Sequence, residues 1–368
     1  MPHNKKDTLS THRPKIILSA GGTGGHVFPA TACASILKDM DCDLILYTDT
    51  RGQKWSGILG QLPTYSVQSS SVLGRGLKGK VCAGISILKG FFQARANLKK
   101  SSADIIVGFG GYSTVPTILA GASLGIKIVL HEQNAFAGRA NRLLSRFSTS
   151  IATAFHNTMG LPNDKCIHTG NPVRGDISDA YAPYTLPSDG VFTILITGGS
   201  QGAEIFGTVI PEAMKKYKGR VKIIQQVREN QIETVKAIYA EAGIDATITP
   251  FITDMASTMA QAHYAIGRSG AGSVMENACV GLPCLLVPYK YAADNHQYHN
   301  AKAFENAGGC TMVRQNDFTV EKIHSILDVY FAKKNGNLLK NMAQLAYEFS
   351  TPNADKKLAD VILKEVSK

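Results

Sequence analysis

A histidine placed directly after a glycine-rich turn is the first feature that points to chemistry. The segment ILSAGGTGGHVFPA, residues 17–30, runs from an apolar stretch through GGTGG into His26. Glycines between a strand and a helix leave backbone N–H groups open to an anion and allow a ligand to approach closely. An imidazole there can take a proton from a substrate hydroxyl at neutral pH. His26 is therefore a candidate general base, although a histidine at a helix start also serves as a cap or a packing residue.

The same turn is a weak match to the dinucleotide-binding fingerprint G-x-G-x-x-G. Gly22 and Gly24 fit the first two positions, but Val27 occupies the third. Asp49, near the end of the next apolar stretch, stands only loosely where a ribose-binding acid belongs. We therefore do not favour a nicotinamide cofactor.

A second, denser cluster of candidate residues lies in GRSGAGSVMENACVGLP, residues 267–283. A strand delivers Arg268 to a glycine-rich turn, and a helix is predicted from Ser273 to Gly281. The N-terminus of that helix would favour a diphosphate by about 0.3–1 kcal/mol from its dipole alone. Glu276, one turn into the helix, could be a capping acid or could accept hydrogen bonds from the two hydroxyls of a ribose.

Two further segments follow predicted strands in the first half of the chain. GFGGYSTVP, residues 108–116, is another candidate anion-binding loop. HEQNAFAGRANRLLSRF, residues 131–147, contains Asn134, which could cap a helix or bind a ligand. Its arginines share one helical face, which is either a binding surface or simply solvated: Arg139, Arg142 and Arg146.

A polar segment in the second half, PYKYAADNHQYHNA at residues 288–301, brings Asp294, His296 and Gln297 to the same rim. His296 and His299 are three residues apart, but two histidines without a third ligand do not predict a metal site.

Short apolar runs alternate with helical stretches along the chain, which predicts parallel α/β sheets. The predicted strands are residues 15–20, 43–48, 103–109 and 126–132 in the first half, and 191–199, 221–227, 246–252, 264–267 and 283–289 in the second. A helix is predicted from Pro29 to Met40, and residues 176–190 are predicted to be a linker.

The beginning of the second half resembles the beginning of the first. ILSAGGTGG, residues 17–25, aligns with ILITGGSQG, residues 194–202. A chain of 368 residues also exceeds one ordinary core. We therefore predict two similarly built doubly wound domains, with a ligand between them at the carboxyl ends of the strands.

The overall charge is +11, which suits an anionic partner such as nucleic acid, a phosphorylated substrate or an acidic membrane surface. Seven cysteines without C-x-x-C spacing indicate reduced thiols of a cytosolic protein. The polar N-terminus lacks the apolar core of a signal peptide. No run of about 18 apolar residues is present, so any membrane contact is expected to be peripheral.

Residues 69–100 mix large apolar side chains with lysine and arginine and contain no acidic residue. An apolar face ringed by cations binds an anionic leaflet, each cation near the surface contributing about 1 kcal/mol. The alternative is a core helix with a basic outer face. The predicted membrane-binding residues are Leu73, Leu77, Lys78, Leu88, Phe91 and Phe92.

Taken together, the motifs resemble one family. In chain order they are GGTGGHVFPA, GGYSTVP, HEQNAFAGRANR, TGNPVR, GGSQGA, GRSGAGSVMENACVGLP and HQYHNA. They resemble the bacterial enzymes that add N-acetylglucosamine to the undecaprenyl-linked muramyl-pentapeptide precursor of peptidoglycan. The resemblance extends from about residue 14 to residue 350. It implies the glycosyltransferase B fold, an α/β architecture of two Rossmann-like domains facing a cleft.

The resemblance also implies the reaction and its residues. The sugar moves from UDP-N-acetylglucosamine to the C4 hydroxyl of the muramyl sugar with inversion, without a cofactor or a metal, and His26 is the base. The implied donor-binding residues are Thr23, Gly24, Gly25, Asn134, Arg174, Ser200, Ile252, Arg268, Ala271, Gly272, Ser273, Val274, Met275, Glu276 and Gln297. The implied cradle for the diphosphate of the acceptor is Gly22, Gly110, Gly111 and Tyr112.

By the same resemblance, residues 1–175 form an acceptor- and membrane-binding domain and residues 176–349 a UDP-sugar domain. A C-terminal helix within residues 350–368 is expected to return to the first domain. The expected location is the cytoplasmic face of the bacterial inner membrane, bound peripherally. The expected partners are the donor, the lipid-linked acceptor, an anionic membrane surface and other cell-wall synthesis proteins, and not nucleic acid.

One segment departs from the family pattern. QQVREN, residues 225–230, stands where the family has a histidine, a glutamine and a Ser/Thr-Gly pair. Two other functions remain open from the residues: a UDP-sugar epimerase on the same scaffold, and a non-catalytic scaffold for wall synthesis. Neither explains the basic apolar segment together with His26.

Overall fold

Two parallel β-sheets organise the chain. The computed structural model describes residues 13–21, 24–49, 57–70, 77–199, 202–332 and 335–368. The first sheet has seven strands in the order β3-β2-β1-β4-β5-β6-β7, and every neighbouring pair is parallel. Its strands are β1 (Lys15–Ser19), β2 (Asp43–Thr48), β3 (Thr64–Ser66), β4 (Ile105–Gly108), β5 (Lys127–Glu132), β6 (Ser150–Thr153) and β7 (Cys166–His168).

The second sheet repeats the same strand order. Its six parallel strands run β10-β9-β8-β11-β12-β13. They are β8 (Phe192–Thr197), β9 (Val221–Gln226), β10 (Ala246–Thr249), β11 (Tyr264–Gly267), β12 (Cys284–Leu286) and β13 (Cys310–Met312). In both sheets the order reverses beside the first strand, and in such sheets ligands bind outside the carboxyl ends of the strands at that point.

Helices cover both faces of each sheet, as parallel strands require. In the first half they are α1 (Gly24–Asp39), α2 (Ile58–Gln61), α3 (Leu77–Ser101), α4 (Val115–Ala122), α5 (Arg139–Leu144) and α6 (Gly175–Ser178). In the second half they are α7 (Glu204–Met214), α8 (Ile232–Ala242), α9 (Met255–Gln261), α10 (Ala271–Cys279), α11 (His296–Asn306), α12 (Val320–Tyr330), α13 (Gly336–Phe349) and α14 (Ala354–Ser367).

The last described helix packs on the first sheet and not on the second. Leu358 and Ile362 of α14 are fully buried in the same apolar cluster as Ile16 and Leu18 of β1. The ammonium group of Lys127, at the start of β5, donates a hydrogen bond to the carbonyl oxygen of Glu365 at 2.9 Å. The chain therefore crosses back over the cleft after α13.

The predicted elements differ from the structure in several respects. Helix α10 runs from Ala271 to Cys279 and not from Ser273 to Gly281, and the short helix α6 (Gly175–Ser178) extends into the predicted linker 176–190. Helix α1 begins at Gly24, before Pro29, which lies inside it. This is tolerable because the proline forfeits only one backbone hydrogen bond close to the helix start. The sequence prediction also missed four short strands, β3, β6, β7 and β13, because segments of three or four residues carry little periodicity.

Candidate active site

A cavity of about 910 Å³ lies between the two sheets, at the carboxyl ends of their strands. Its walls come from the loops after β1, β4 and β5 on one side and from those after β8, β9, β11, β12 and β13 on the other. Twelve of the predicted binding residues line it: Gly25, His26, Gly110, Gly111, Tyr112, Asn134, Arg268, Ala271, Gly272, Ser273, Glu276 and Gln297. The structure thus brings candidates from both halves of the chain to one space.

On the first sheet, the imidazole of His26 lies against the turn that follows β4. Gly110 and Gly111 in that turn have φ values of +91° and +80°, a region that side chains rarely adopt. A Cβ atom at Gly110 would lie 3.2 Å from Cδ2 of His26, and one at Gly111 would lie 3.3 Å from its Cε1. Glycine at both positions therefore provides the backbone shape and the room for the ring.

A buried carboxylate shapes the neighbouring loop. Glu132, at the end of β5, accepts hydrogen bonds from the backbone N–H groups of Asn134 and Gly138, both at 2.9 Å. It also accepts one from the side-chain amide of Asn141 at 2.9 Å. Burial raises the pKa of Glu132, and these hydrogen bonds oppose the rise. Glu132 thus holds the segment that carries Asn134 into the cavity.

On the second sheet, helix α10 points its N-terminus into the cavity. Its first three residues, Ala271, Gly272 and Ser273, line the cavity wall. The first backbone N–H groups of a helix have no partner within it, so this end suits a phosphate. Val274 and Met275, two other predicted binding residues, have buried side chains in the core and do not line the cavity. Any contact from them to a ligand has to come from the backbone.

Arg268 lies just before that helix, between two aromatic rings. Its guanidinium is 5.1 Å from the ring centroid of Phe206 and 5.4 Å from that of Tyr289. It donates a hydrogen bond to the carbonyl oxygen of Val287 at 3.0 Å. Burial lowers the pKa of Arg268 to about 10, so the group remains charged at neutral pH. The packing fixes a positive charge at the cavity wall.

Glu276 and Arg174 form a second charged region. Glu276 lines the cavity, and burial raises its pKa while the positive charge of Arg174 opposes that rise. Arg174 itself does not line the cavity. Its guanidinium is 5.9 Å from the ring centroid of Phe28, which does. Arg174 thus approaches the cavity only through its contact with Phe28.

Gln297 reaches the cavity from the start of α11. Its side-chain oxygen accepts a hydrogen bond from the backbone N–H of Tyr289 at 2.9 Å. Its backbone carbonyl oxygen accepts one from the hydroxyl of Ser269 at 2.8 Å. These bonds tie the loop after β12 to the glycine-rich turn before α10.

The remaining predicted residues lie elsewhere. Ile252 is buried in the same apolar cluster as Val274 and Met275 and does not line the cavity. Gly22, Thr23, Ser200 and Leu73 lie outside the described residues, and of Gly24, Leu77 and Lys78 only the backbone is described. No group of three or more metal-ligating side chains occurs in the described part of the chain. His299 stacks on Phe136, with ring centroids 5.1 Å apart.

The sequence prediction missed the residues that join the two sides of the cavity. Asn300 of α11 is fully buried and accepts a hydrogen bond from the backbone N–H of Ala135 at 2.8 Å. Its amide donates to the side-chain oxygen of Asn134 at 3.1 Å and to the carbonyl oxygen of Ser269 at 3.2 Å. An asparagine in the polar segment HQYHNA was the available signal, but its partners are distant in sequence.

A salt bridge also crosses the cleft at its rim. The carboxylate of Asp294 lies 2.5 Å from a guanidinium nitrogen of Arg139 and 2.7 Å from one of Arg142. The arginines on the face of α5 therefore pair with the second half of the chain, at least at these two positions.

Helix α3 carries the exposed apolar face of the first half. Val81, Ile85, Leu88 and Phe92 recur at helical spacing and are 50–61% exposed. Phe91 instead packs against the core of the first sheet, so we remove it from the predicted membrane-binding residues. No helix in the described ranges is long and apolar enough to span a bilayer.

Comparison with protein families gives the class of this fold and site. The model of the glycosyltransferase family 28 N-terminal domain matches residues 16–153, and that of the family 28 C-terminal domain matches residues 193–359. Two Rossmann-like sheets enclosing a cleft are thus those of a glycosyltransferase.

Individual relatives narrow the class. A UDP-N-acetylglucosamine–N-acetylmuramyl-(pentapeptide) pyrophosphoryl-undecaprenol N-acetylglucosamine transferase of Paramagnetospirillum magneticum is 40% identical, over 96% of this chain and 98% of its own. The enzyme of the same name from Gluconobacter oxydans is 38% identical, over 95% and 98%. The crystal structure of Acinetobacter baumannii MurG superposes with a TM-score of 0.81 at 32% identity, covering 95% of this chain and 99% of that one. The chain therefore belongs to glycosyltransferase family 28 and, within it, to the family of these N-acetylglucosamine transferases.

The same scaffold is found in more distant enzymes. A UDP-GlcNAc 2-epimerase from Neisseria meningitidis superposes with a TM-score of 0.66 at 16% identity, over 95% of this chain and all of that one. At that identity the likeness extends to the fold only.

Proposed function

We propose that this enzyme transfers N-acetylglucosamine from UDP-N-acetylglucosamine to the C4 hydroxyl of undecaprenyl-pyrophosphoryl-N-acetylmuramyl-pentapeptide, with inversion at the anomeric carbon. One observation carries the proposal: a single cavity holds an imidazole from the first sheet, His26, opposite a helix N-terminus and a fixed arginine from the second, Arg268. A proton acceptor and an anion-binding wall facing one space are what transfer from a nucleotide sugar requires.

The donor fits the second side of the cavity. Its diphosphate would lie at the N-terminus of α10 beside Arg268, where fixed N–H groups and a positive charge stabilise the departing UDP as its charge develops. Glu276 would accept hydrogen bonds from the ribose hydroxyls, and the backbone at Ile252 would bind the uracil. Gln297 would contact the sugar, with Asn134 and the turn at Gly25 closing over it.

The acceptor fits the first side. The muramyl C4 oxygen attacks the anomeric carbon from the face opposite the diphosphate, and its proton passes to His26. The bond between the anomeric carbon and the diphosphate oxygen breaks, and UDP leaves with the electron pair. The turn at Gly110, Gly111 and Tyr112 would receive the diphosphate of the lipid-linked acceptor. A base so placed typically contributes about 10²- to 10⁴-fold in rate.

The acceptor's lipid requires a contact with the membrane, and α3 is suited to it. Val81, Ile85, Leu88 and Phe92 form an exposed apolar face, and the helix contains no acidic residue. Lys89, Lys99 and Lys100 are exposed along the same helix and would meet anionic headgroups. We place residues 1–175 on the cytoplasmic face of the inner membrane, as the acceptor-binding domain, and assign the donor to residues 176–349.

The decisive experiment supplies radiolabelled UDP-N-acetylglucosamine with a lipid-linked muramyl-pentapeptide and follows the label. We expect label in the lipid phase from the wild type, and a fall in kcat of about 10²- to 10⁴-fold for His26→Ala with UDP binding retained. His156→Ala, an exposed histidine that does not line the cavity, is the control.

Two results would refute the assignment. Isomerised UDP-sugar without any transfer would indicate an epimerase, and absence of all turnover would indicate a scaffold. Full activity of His26→Ala would be compatible with the transferase function but would show that His26 is not the general base.

A further inference from the structure

The segment that departs from the family pattern places a positive charge in the cavity. Arg228 follows β9, the neighbour of β8 in the second sheet, and lines the cavity together with Arg268. The Ser/Thr-Gly pair of the resembling family has no charge there. Arg228 is thus a charged residue of the cavity wall that has no role in the mechanism proposed above.

The side chain of Arg228 lies along the glycine-rich turn after β8. A Cβ atom at Gly202 would be 3.0 Å from Cγ of Arg228, so the stem of the arginine lies close against this glycine. Gly202 has a φ of +64°, and its N–H closes the turn by donating to the carbonyl oxygen of Gly199 at 2.9 Å. Both glycines line the cavity, so the arginine stem is packed against the turn that faces the ligand space.

The partner of Arg228 is itself an anion at a helix N-terminus. Glu204 is the first residue of α7, and its carboxylate lies 3.1 Å from a guanidinium nitrogen of Arg228. The side chains of Glu204 and Arg228 are 71% and 44% exposed, so water weakens their attraction. A carboxylate therefore occupies the place beside the glycine turn and the helix end that otherwise suits a phosphate.

The other two arginines of the cavity wall are fixed by different contacts. Arg268 is held by the carbonyl oxygen of Val287 and by two aromatic rings, and Arg139 pairs with Asp294 at the rim. Among the arginines lining the cavity in the described ranges, Arg228 is the one whose charged partner is mostly exposed and lies at a helix N-terminus.

We propose that Arg228 is a diphosphate-binding residue of this enzyme, which exchanges its ion pair with Glu204 for the diphosphate of the nucleotide sugar. A diphosphate carries more charge than a carboxylate and offers the paired oxygens that a guanidinium binds through two hydrogen bonds. The inference rests on the proposed function, because it assumes that a nucleoside diphosphate occupies this cavity.

Calorimetric titration with UDP and with UMP tests the inference on the full chain. We expect Arg228→Ala to weaken UDP binding about tenfold or more, as for the loss of a hydrogen bond to a charged group, and UMP binding by much less. Arg228→Lys should fall between the wild type and Arg228→Ala, because a lysine keeps the charge and loses the paired geometry. Lys222→Ala, a change on β9 itself that removes an exposed ion pair with Asp245, is the matched control and should bind UDP as the wild type does.

A variant of Glu204 tests whether Arg228 binds the diphosphate or only neutralises the charge of Glu204. Glu204→Gln should tighten UDP binding, because it frees Arg228, and the double variant Arg228→Ala/Glu204→Gln should remain as weak as Arg228→Ala. Recovery of wild-type affinity in the double variant would overturn the proposal, since Arg228 would then serve only to neutralise Glu204. Unchanged UDP binding by a folded Arg228→Ala would also overturn it.

The proposed function fails by a different result. If the wild type itself does not bind UDP, the proposed nucleotide-sugar function is wrong. If the wild type binds UDP, the results for Arg228→Ala and for the double variant decide whether Arg228 binds the diphosphate.

Discussion

The side-chain amide of Asn300 donates a hydrogen bond to the side-chain oxygen of Asn134 across the cleft, at 3.1 Å. Asn300 extends from a helix of the second sheet, and Asn134 from a loop of the first. Because Asn134 is also held by Glu132, the contact connects a buried carboxylate under one wall to the glycine-rich turn of the other. A hydrogen bond from the buried Asn300 to Asn134 in the cavity wall therefore helps to fix the relative position of the two walls.

Replacing Asn300 should loosen this connection. Asn300→Ala leaves the N–H of Ala135 without its acceptor, and we expect a loss of about 1–3 kcal/mol in the free energy of unfolding. Asn300→Asp should also destabilise, because a carboxylate oxygen would replace the amide that faces two acceptor oxygens. Urea denaturation measures both effects. Asn306→Ala, at the exposed end of the same helix, is the control, and an equal loss there would contradict the prediction.

The salt bridge at the rim should give a pH-dependent contribution to stability. The hydrogen bond from Arg139 lowers the pKa of Asp294, and the charges of Arg139 and Arg142 add to this effect. A depressed carboxyl pKa stabilises the fold above the ordinary value of about 3.9, and the gain is lost as pH falls through the depressed value. We expect Asp294→Asn to cost about 1 kcal/mol at pH 7, with the difference from wild type shrinking below about pH 4.

Urea unfolding of the wild type and of Asp294→Asn, at pH 7 and below about pH 4, measures this difference in the free energy of unfolding. Glu233→Gln, which removes the pair with Lys236 within α8, is the comparison variant because that pair does not cross the cleft. A difference for Asp294→Asn that stays constant on acidification would exclude the ionised carboxylate as its source.

The glycine turn under His26 offers a matched pair of variants. Gly111→Ala and Gly125→Ala both place a side chain on a backbone with positive φ, +80° and +71°, at a cost of about 1–2 kcal/mol each. Only the first would press a Cβ atom against the imidazole, since nothing lies within 4 Å of a Cβ at Gly125. We expect similar losses of stability but a fall in kcat of about tenfold or more for Gly111→Ala alone. Equal kcat values for the two folded variants would show that the ring position is unimportant.

The exposed face of α3 should govern binding to anionic vesicles. We expect Leu88→Ser/Phe92→Ser to reduce cosedimentation with phosphatidylglycerol vesicles by about tenfold or more, because both side chains are exposed and apolar. Val329→Ser/Leu338→Ser, which changes two exposed apolar residues of the second half, should bind vesicles as the wild type does. Unaltered binding by the α3 variant would place the membrane contact elsewhere.

The fold was largely predictable because parallel strands buried on both faces are continuous apolar runs. Segment 264–267 matches β11 residue for residue, and the repeated glycine turn correctly indicated two similarly built sheets. The polar cavity wall was also predictable, because a helix start after a glycine-rich turn has a defined chemistry. Asn300 and Glu132 were not predictable, because their roles depend on partners that only the folded chain brings near. The orientation of Phe91 was not predictable from composition, because adjacent residues on a helix point about 100° apart and only packing decides which of the two meets the core.

The return of α14 to the first sheet has a consequence for synthesis. Leu358 and Ile362 fill the core beside β1, yet a ribosome makes them after the whole of the second sheet, on the order of 10 s later. Until then the nascent first half exposes an apolar surface that its own later residues will cover. Chaperones that bind exposed apolar surface could bind the nascent first half during that interval. A fusion partner appended near α14 would disturb the half of the enzyme that is translated first.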